Sequence, residues 1–164
     1  MLSAEQHLQI ADELIAADAS KELLPILTGR YPGMVVDDSY AVQRAWTERK
    51  LAEGRRVVGR KIGLTSKVMQ VATGITEPDY GVILDDMVIE SGSVIDFDRF
   101  SNVRIEVELA FVLAKPLTGP HTTIFDVLDA TAYVVPALEI LNSHLVMEGR
   151  TIVDTISDNA AMGA

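Results

Sequence analysis

The chain has 164 residues, no cysteine and a formal net charge of −10, a size that ordinarily makes one domain. At 48% hydrophobic it can bury a core, while the lack of cysteine excludes disulfides, thiolate nucleophiles and Cys-ligated zinc. The acidic balance argues against a nucleic-acid surface and gives no general attraction for anionic membranes, so an anionic ligand needs local positive groups or a metal. Met1-Leu2-Ser3-Ala4-Glu5-Gln6 has no basic segment leading into an apolar stretch, so it is not read as a signal peptide. No apolar run approaches membrane-spanning length. The expectation is a cytoplasmic protein without membrane or nucleic-acid partners.

Ser3 and Gln6 make a capping-box pattern for a helix over about residues 4–17, with Leu8, Ala11, Leu14 and Ile15 as its apolar stripe. Arg30-Tyr31-Pro32-Gly33 reads as a turn. A second helix is predicted over 38–53, burying Tyr40, Val42, Ala45, Trp46 and Leu51, with Arg44, Glu48, Arg49 and Lys50 solvated and Gly54 as its stop. Residues 57–64 read as a strand with glycines at close-approach points. Thr65 or Ser66 caps a short helix ending near Gly74, and 77–81 reads as a loop. Short strands are expected at 82–84 and 93–97, a strand at 103–111, a loop at 115–120, a helix at 124–130 and a buried strand at 132–141. Helices first and strands later is an α+β pattern: a helical region over 1–55 and a β-rich catalytic region over 56–164, in one domain overall. The end, Ile152 to Ala164, has no cap, charge cluster or polar tail, so the chain reads as a fragment truncated at its C-terminus.

The most informative segment is Val103-Arg104-Ile105-Glu106-Val107-Glu108-Leu109-Ala110-Phe111, whose alternation predicts a strand with one buried face. Glu106 and Glu108 then share a side, about 7 Å apart at Cα. Two adjacent carboxylates repel unless something positive lies between them: a divalent cation such as Mg²⁺, Mn²⁺ or Ca²⁺, or simply Arg104 on a solvated face. Glu139 interrupts an otherwise apolar run and needs a partner, either a basic side chain or the same metal. Lys61, in a glycine-flanked apolar strand, is a candidate for acid–base work or a snorkelling surface lysine. Asp79 and Tyr80 form a polar pair near Pro78 and Gly81. Asp154, Asp158 and Asn159 either line a site or cap a helix. His7, His121 and His144 accompany no nucleophile signature, and no phosphate loop is present.

Five blocks carry a resemblance: Gly59-Arg60-Lys61-Ile62-Gly63-Leu64-Thr65-Ser66, Glu77-Pro78-Asp79-Tyr80-Gly81, residues 104–112, Pro136-Ala137-Leu138-Glu139-Ile140, and residues 154–160. In this order they resemble the fumarylacetoacetate hydrolase superfamily, in its hydratase/decarboxylase branch of aromatic meta-cleavage catabolism. The resemblance implies N-terminal helices followed by a mixed β-roll, and members that continue past residue 164. It implies Mg²⁺, or Mn²⁺, held by Glu106, Glu108 and Glu139, with Lys61 and Asp79 as catalytic groups. The substrate implied is a small 2-hydroxy-dienoate or 2-oxo-enoate, a dicarboxylate, for which Arg60, Arg104 and Tyr80 are candidate contacts. The reaction implied is hydration; decarboxylation of 4-oxalocrotonate-type 2-oxo acids and hydration of 2-hydroxypenta-2,4-dienoate remain open. A homo-oligomer is expected by the same analogy. The reading from another class is an inactive fragment or scaffolding subunit.

Overall fold

The computed structural model describes residues 1–73 and 75–164; the helix end expected near Gly74 lies outside them. Helix α1 (Ala4–Ser20) begins as expected. Ser3 Oγ accepts from Gln6 N at 3.2 Å, and Gln6 Oε1 accepts from Ser3 N at 2.8 Å, satisfying donors that the helix itself leaves open. It runs past the expected end at Ala17, and Lys21 closes it in the left-handed conformation (φ 62°). Its buried residues are Ile10, Ala11, Leu14 and Ala17, whereas Leu8 is exposed and Ile15 lies at the edge of the core. The stripe is turned toward Ile10 and Ala17, because α1 packs there on a later helix and on the core around Leu27 and Val42.

After the short α2 (Leu27–Arg30) and the turn at Gly33, α3 (Val36–Ala52) starts two residues before the expected Asp38. Asp38 is the reason. Its buried carboxylate reaches back to accept from Val35 N at 3.1 Å, and it also accepts from Leu2 N at 2.9 Å and meets His7 Nε2 at 3.0 Å. Burial pushes its pKa upward, but the bonds from Val35, His7 and Leu2 outweigh that and hold it below the usual range. Val42, Ala45 and Trp46 are buried as expected, together with Ser39 and Gln43; Leu51 is exposed and Tyr40 half-buried.

Strand β1 (Val57–Gly63), helix α4 (Lys67–Thr73) and strand β2 (Asp79–Leu84) follow. The strands pair antiparallel, Lys61 opposite Gly81 and Gly63 opposite Asp79, with an irregularity between Val57 and Gly59. Asp79, Tyr80 and Gly81 therefore belong to a strand and not to the loop expected at 77–81: pairing with β1 overrides the local Pro and Gly signals. No strand forms at 93–97. There the Asp96 carboxylate accepts from Asp98 N at 3.1 Å and starts a 3₁₀ turn at Phe97–Arg99, a local bond that competes with sheet pairing.

Strand β3 (Val103–Leu113) and strand β4 (Thr131–Asn142) form a second two-stranded sheet, with α5 (Ile124–Ala130) between them as expected, capped by Thr123 and Asp126. The expected buried faces are not found. Ile105, Leu109, Phe111, Tyr133 and Leu138 are all exposed, and Val107 is 82% exposed. A ribbon of two strands carries no second layer to cover its own face. Helix α6 (Ile152–Ser157) closes the chain before a last 3₁₀ turn.

The chain divides into two compact units, Met1–Arg104 with Ile140–Ala164, and Ile105–Glu139. In the first, the core gathers Ile10, Leu14, Leu27, Val42, Trp46, Leu84 and Leu145. Its buried polar groups are tied over long sequence distances. Asp154 accepts from Thr28 N and Oγ1 (2.9 and 2.8 Å) and from Thr151 N and Oγ1 (2.9 and 2.8 Å). Asn159 pairs with both Val82 backbone groups, accepting from N at 2.7 Å and donating to O at 2.9 Å. These two residues are thus structural clamps. Asp158 accepts from His144 N at 2.7 Å, and its other oxygen lies 2.7 Å from His144 Nδ1; Asp18 lies 3.3 Å from His144 Nε2. Burial alone would lower the His144 pKa, but these two carboxylates raise it to about 9.

Two outcomes follow for stability. The folded pKa of His144 lies above its ordinary 6.5, so its contribution is complete below about pH 6.5 and fades as pH rises toward 9. Urea unfolding should show stability declining across that window, and His144→Gln should flatten the decline; an unchanged slope would mean an uncharged histidine in the fold. Asp38→Ala, which orphans three donors, should cost about 2–3 kcal/mol in the same assay.

Candidate metal centre

Strand alternation puts Glu106 and Glu108 on one side of β3, and β4 supplies Glu139 within the same compact unit. One carboxylate oxygen from each lies within 4.8 Å of the others. Two oxygens on a single cation at about 2.1–2.5 Å can be no further apart than about 4.2–5 Å. The trio therefore fits one hard divalent ion, and its all-oxygen donor set suits Mg²⁺, Mn²⁺ or Ca²⁺ over softer metals. Glu106 and Glu108 are exposed and Glu139 half-buried, so water can complete the coordination.

The other sequence candidates fall in the first unit, on the β1–β2 ribbon. Lys61 and Gly63 alternate to one face, and their partners Gly81 and Asp79 lie on that same face. The ribbon thus brings Lys61 and Asp79 together, which linear spacing did not reveal. Asp79 is only 5% exposed. Burial raises its pKa, against the pull of the Lys61 ammonium, backbone N–H groups and the Arg150 guanidinium. Two glycines make room for this arrangement. A Cβ on Gly63 would collide with Asp79 Oδ1, and a Cβ on Gly81 would come 2.6 Å from Asn159 O and 3.1 Å from Lys61 Cγ.

Arg60 and Tyr80 alternate to the opposite face. Arg60 is exposed and donates to Gly59 O at 3.0 Å; Tyr80 stacks on Tyr40 with ring centroids 4.6 Å apart. Arg104 is exposed at the start of β3, close enough to Arg150 to act on its charge. Arg150 was missed by sequence reasoning. It is half-buried, it donates to Ser143 Oγ at 2.7 Å, and burial, its largest influence, lowers its pKa. Its only sequence signal is a basic residue beside Gly149, which reads as an ordinary turn.

No protein-family model matches the chain. It is 50% identical over 167 residues to 2-oxo-hept-4-ene-1,7-dioate hydratase of Escherichia coli, covering 98% of this chain and 62% of that protein. It is 40% identical over 156 residues to 2-hydroxypent-2,4-dienoate hydratase of Pseudomonas putida, covering 94% and 70%. The solved structure of 4-oxalocrotonate decarboxylase from Pseudomonas putida G7, complexed with magnesium and adipate, matches with a TM-score of 0.94 at 31% identity, over 99% of this chain and 62% of that one. The chain belongs to the hydratase/decarboxylase group of the fumarylacetoacetate hydrolase superfamily. It spans about three fifths of the length of the Escherichia coli hydratase and of the solved decarboxylase.

Glu106→Gln should weaken Mn²⁺ binding, followed by electron paramagnetic resonance, by at least about tenfold, the lower end of what losing even an outer-sphere partner costs. Because Glu106 is exposed, its melting temperature should stay close to that of the unsubstituted chain. Equal Mn²⁺ affinity in both proteins would remove Glu106 from the metal set.

Proposed function

We propose that this chain carries the metal-binding and proton-transfer groups of a lyase that hydrates 2-oxo-hept-4-ene-1,7-dioate to 4-hydroxy-2-oxoheptanedioate in aromatic catabolism. The observation that carries the reading is the trio of Glu106, Glu108 and Glu139 in a chain half-identical to a named hydratase. Mg²⁺ is the proposed ion, with Mn²⁺ as a substitute. When bound, a divalent cation supplies a Lewis acid that stabilises negative charge developing on the substrate's C2 oxygen.

The chemistry sets the work for the remaining residues. The C4–C5 alkene must first move into conjugation with the C2 carbonyl, losing a proton at C3 and gaining one at C5. Water then adds its oxygen at C4, and C3 takes back a proton. Asp79, whose burial favours the protonated form, suits taking and returning these protons. Lys61 on the same face holds the Asp79 carboxylate when it is charged and orients the attacking water. A cytoplasmic location and a homo-oligomer belong to the same proposal. Among the described residues no helix is long and apolar enough to cross a membrane, and exposed side chains such as Val107 and Phe111 make an apolar surface suited to self-association.

A decarboxylase is the second reading, favoured by the match to 4-oxalocrotonate decarboxylase. Turnover of 2-hydroxyhepta-2,4-diene-1,7-dioate and, separately, of 4-oxalocrotonate, each followed in the ultraviolet with Mg²⁺ or with EDTA while trapping CO₂, separates the two. Mg²⁺-dependent loss of chromophore from the first substrate without CO₂ is expected; release of CO₂ from 4-oxalocrotonate would move the protein to the second reading, and inertness toward both substrates would support a non-catalytic fragment. Asp79→Asn and Lys61→Met should each lower kcat by about 10²–10⁴-fold, and full activity in either would remove it from the catalytic set.

A further inference from the structure

Asp79 carries a buried oxygen that nothing in the fold satisfies. The residue is 5% exposed, and its Oδ1 is enclosed without a hydrogen-bond partner among the described residues. The other buried aspartates of the same unit differ: Asp38, Asp154 and Asp158 each accept from two or more donors. An ionised carboxylate with an unmatched oxygen away from water is far costlier than a neutral acid whose C=O is unmatched. The side chain is thus arranged to hold a proton, and the oxygen without a partner is suited to be the carbonyl of that acid.

Gly63 is what places this oxygen. It stands opposite Asp79 in the β1–β2 register. Its φ is not positive, so its backbone conformation does not call for glycine, and a glycine inside a strand has no side chain to pack. What the position needs is space. An added Cβ would collide with Asp79 Oδ1, while standing 3.2 Å from Cγ and 3.7 Å from Oδ2. Oδ1 therefore fills the volume that any other residue at 63 would take. The ionisable groups acting on the carboxyl are Lys61 on the same face of β1, Arg150, and Tyr40 of α3. The two cations favour its charged form. The backbone N–H groups of Gly63 and Asp79 act as dipoles in the same direction, but neither meets Oδ1 in hydrogen-bond geometry. The enclosure of Oδ1 is what opposes them.

We propose that Gly63 is the positioning residue for proton exchange at Asp79: by leaving room for Oδ1 against the β1 backbone, it keeps that oxygen an unbonded carbonyl and makes Oδ2 the atom that gives up and takes back the proton. No other bond of Asp79 changes. The use of that proton on a dienoate rests on the hydratase reading; the state of the carboxyl does not.

The test is infrared difference spectroscopy of the full chain against Asp79→Asn, at a pH low enough to protonate Asp79. A carboxylic acid whose C=O accepts no hydrogen bond absorbs at higher frequency than one whose C=O does. The unsubstituted chain should show the Asp79 band at the unbonded frequency; a band at the bonded frequency would overturn the proposal without any variant at 63. Gly63→Ala should move the band to the bonded frequency and leave the melting temperature nearly unchanged, because the clash is met by the rotatable end of a side chain, which turns Oδ1 toward water. Gly59→Ala adds its methyl to the same strand, where it meets Ile83 Cδ1 at an ordinary 3.5 Å, and should leave the band in place. An unmoved band in Gly63→Ala, an equal move in Gly59→Ala, or loss of the fold in Gly63→Ala alone would each count against the placement. In turnover, Gly63→Ala should lower kcat by about tenfold or more with KM little changed, and shift the limb of the pH profile governed by Asp79 to lower pH. If the unsubstituted chain turns over no dienoate, the hydratase reading fails while the infrared bands still decide the role of Gly63; turnover with a bonded band would leave that reading standing and remove Gly63.

Discussion

Satisfying buried backbone and carboxylate groups is the constraint on which the first unit depends. Val82 is buried on β2, and its N–H and C=O face away from water, where an unpaired group costs far more than a made bond gains. The amide of Asn159 answers both from 77 positions away in the chain. Gln43 extends the same logic, donating to Tyr80 O and Ile156 O and so joining α3, β2 and α6. Asp154 binds Thr28 from 126 positions away. The β2 strand is therefore held through its backbone by polar side chains, and Lys61 and Asp79 lie on the face where Asn159 closes over Gly81.

Charge is distributed in the same purposeful way. The chain is acidic overall, yet its acids are not interchangeable. Asp38, Asp154 and Asp158 accept several hydrogen bonds each and act as structural anchors. Glu106 and Glu108 stand exposed on a strand beside Glu139, where mutual repulsion favours a divalent cation. Asp79 is the exception, buried with its pKa raised by that burial against the pull of Lys61 and Arg150. Environment rather than residue type separates the structural anchors from the proposed metal ligands and the proposed proton carrier.

The two long helices, α5, the acidic strand and the carboxylate pair were legible from local pattern. Ser3 and Gln6 start α1, Thr123 starts α5 and alternation marks β3, because capping and periodicity depend only on near neighbours. Burial was less legible. Leu8 and Leu51 carry a helical apolar period and still face solvent, and the apolar side of β3 is uncovered, since burial depends on what packs above an element. Asp79 read as part of a turn because Pro78 and Gly81 flank it, and only pairing with β1 makes it part of a strand.

By itself the sequence determined the family, the two long helices, the acidic strand and the glutamates able to share a cation, all carried by residue identity at short spacing. The tertiary structure alone decided that Lys61 and Asp79 share a face, that Tyr80 and Arg60 take the other, and that Arg150 comes within reach of Arg104 and Asp79. Those relations join residues from 18 to 71 positions apart in the chain. They are set by strand register and by the clamps at Asn159 and Asp154, which bring distant segments together only when the core closes.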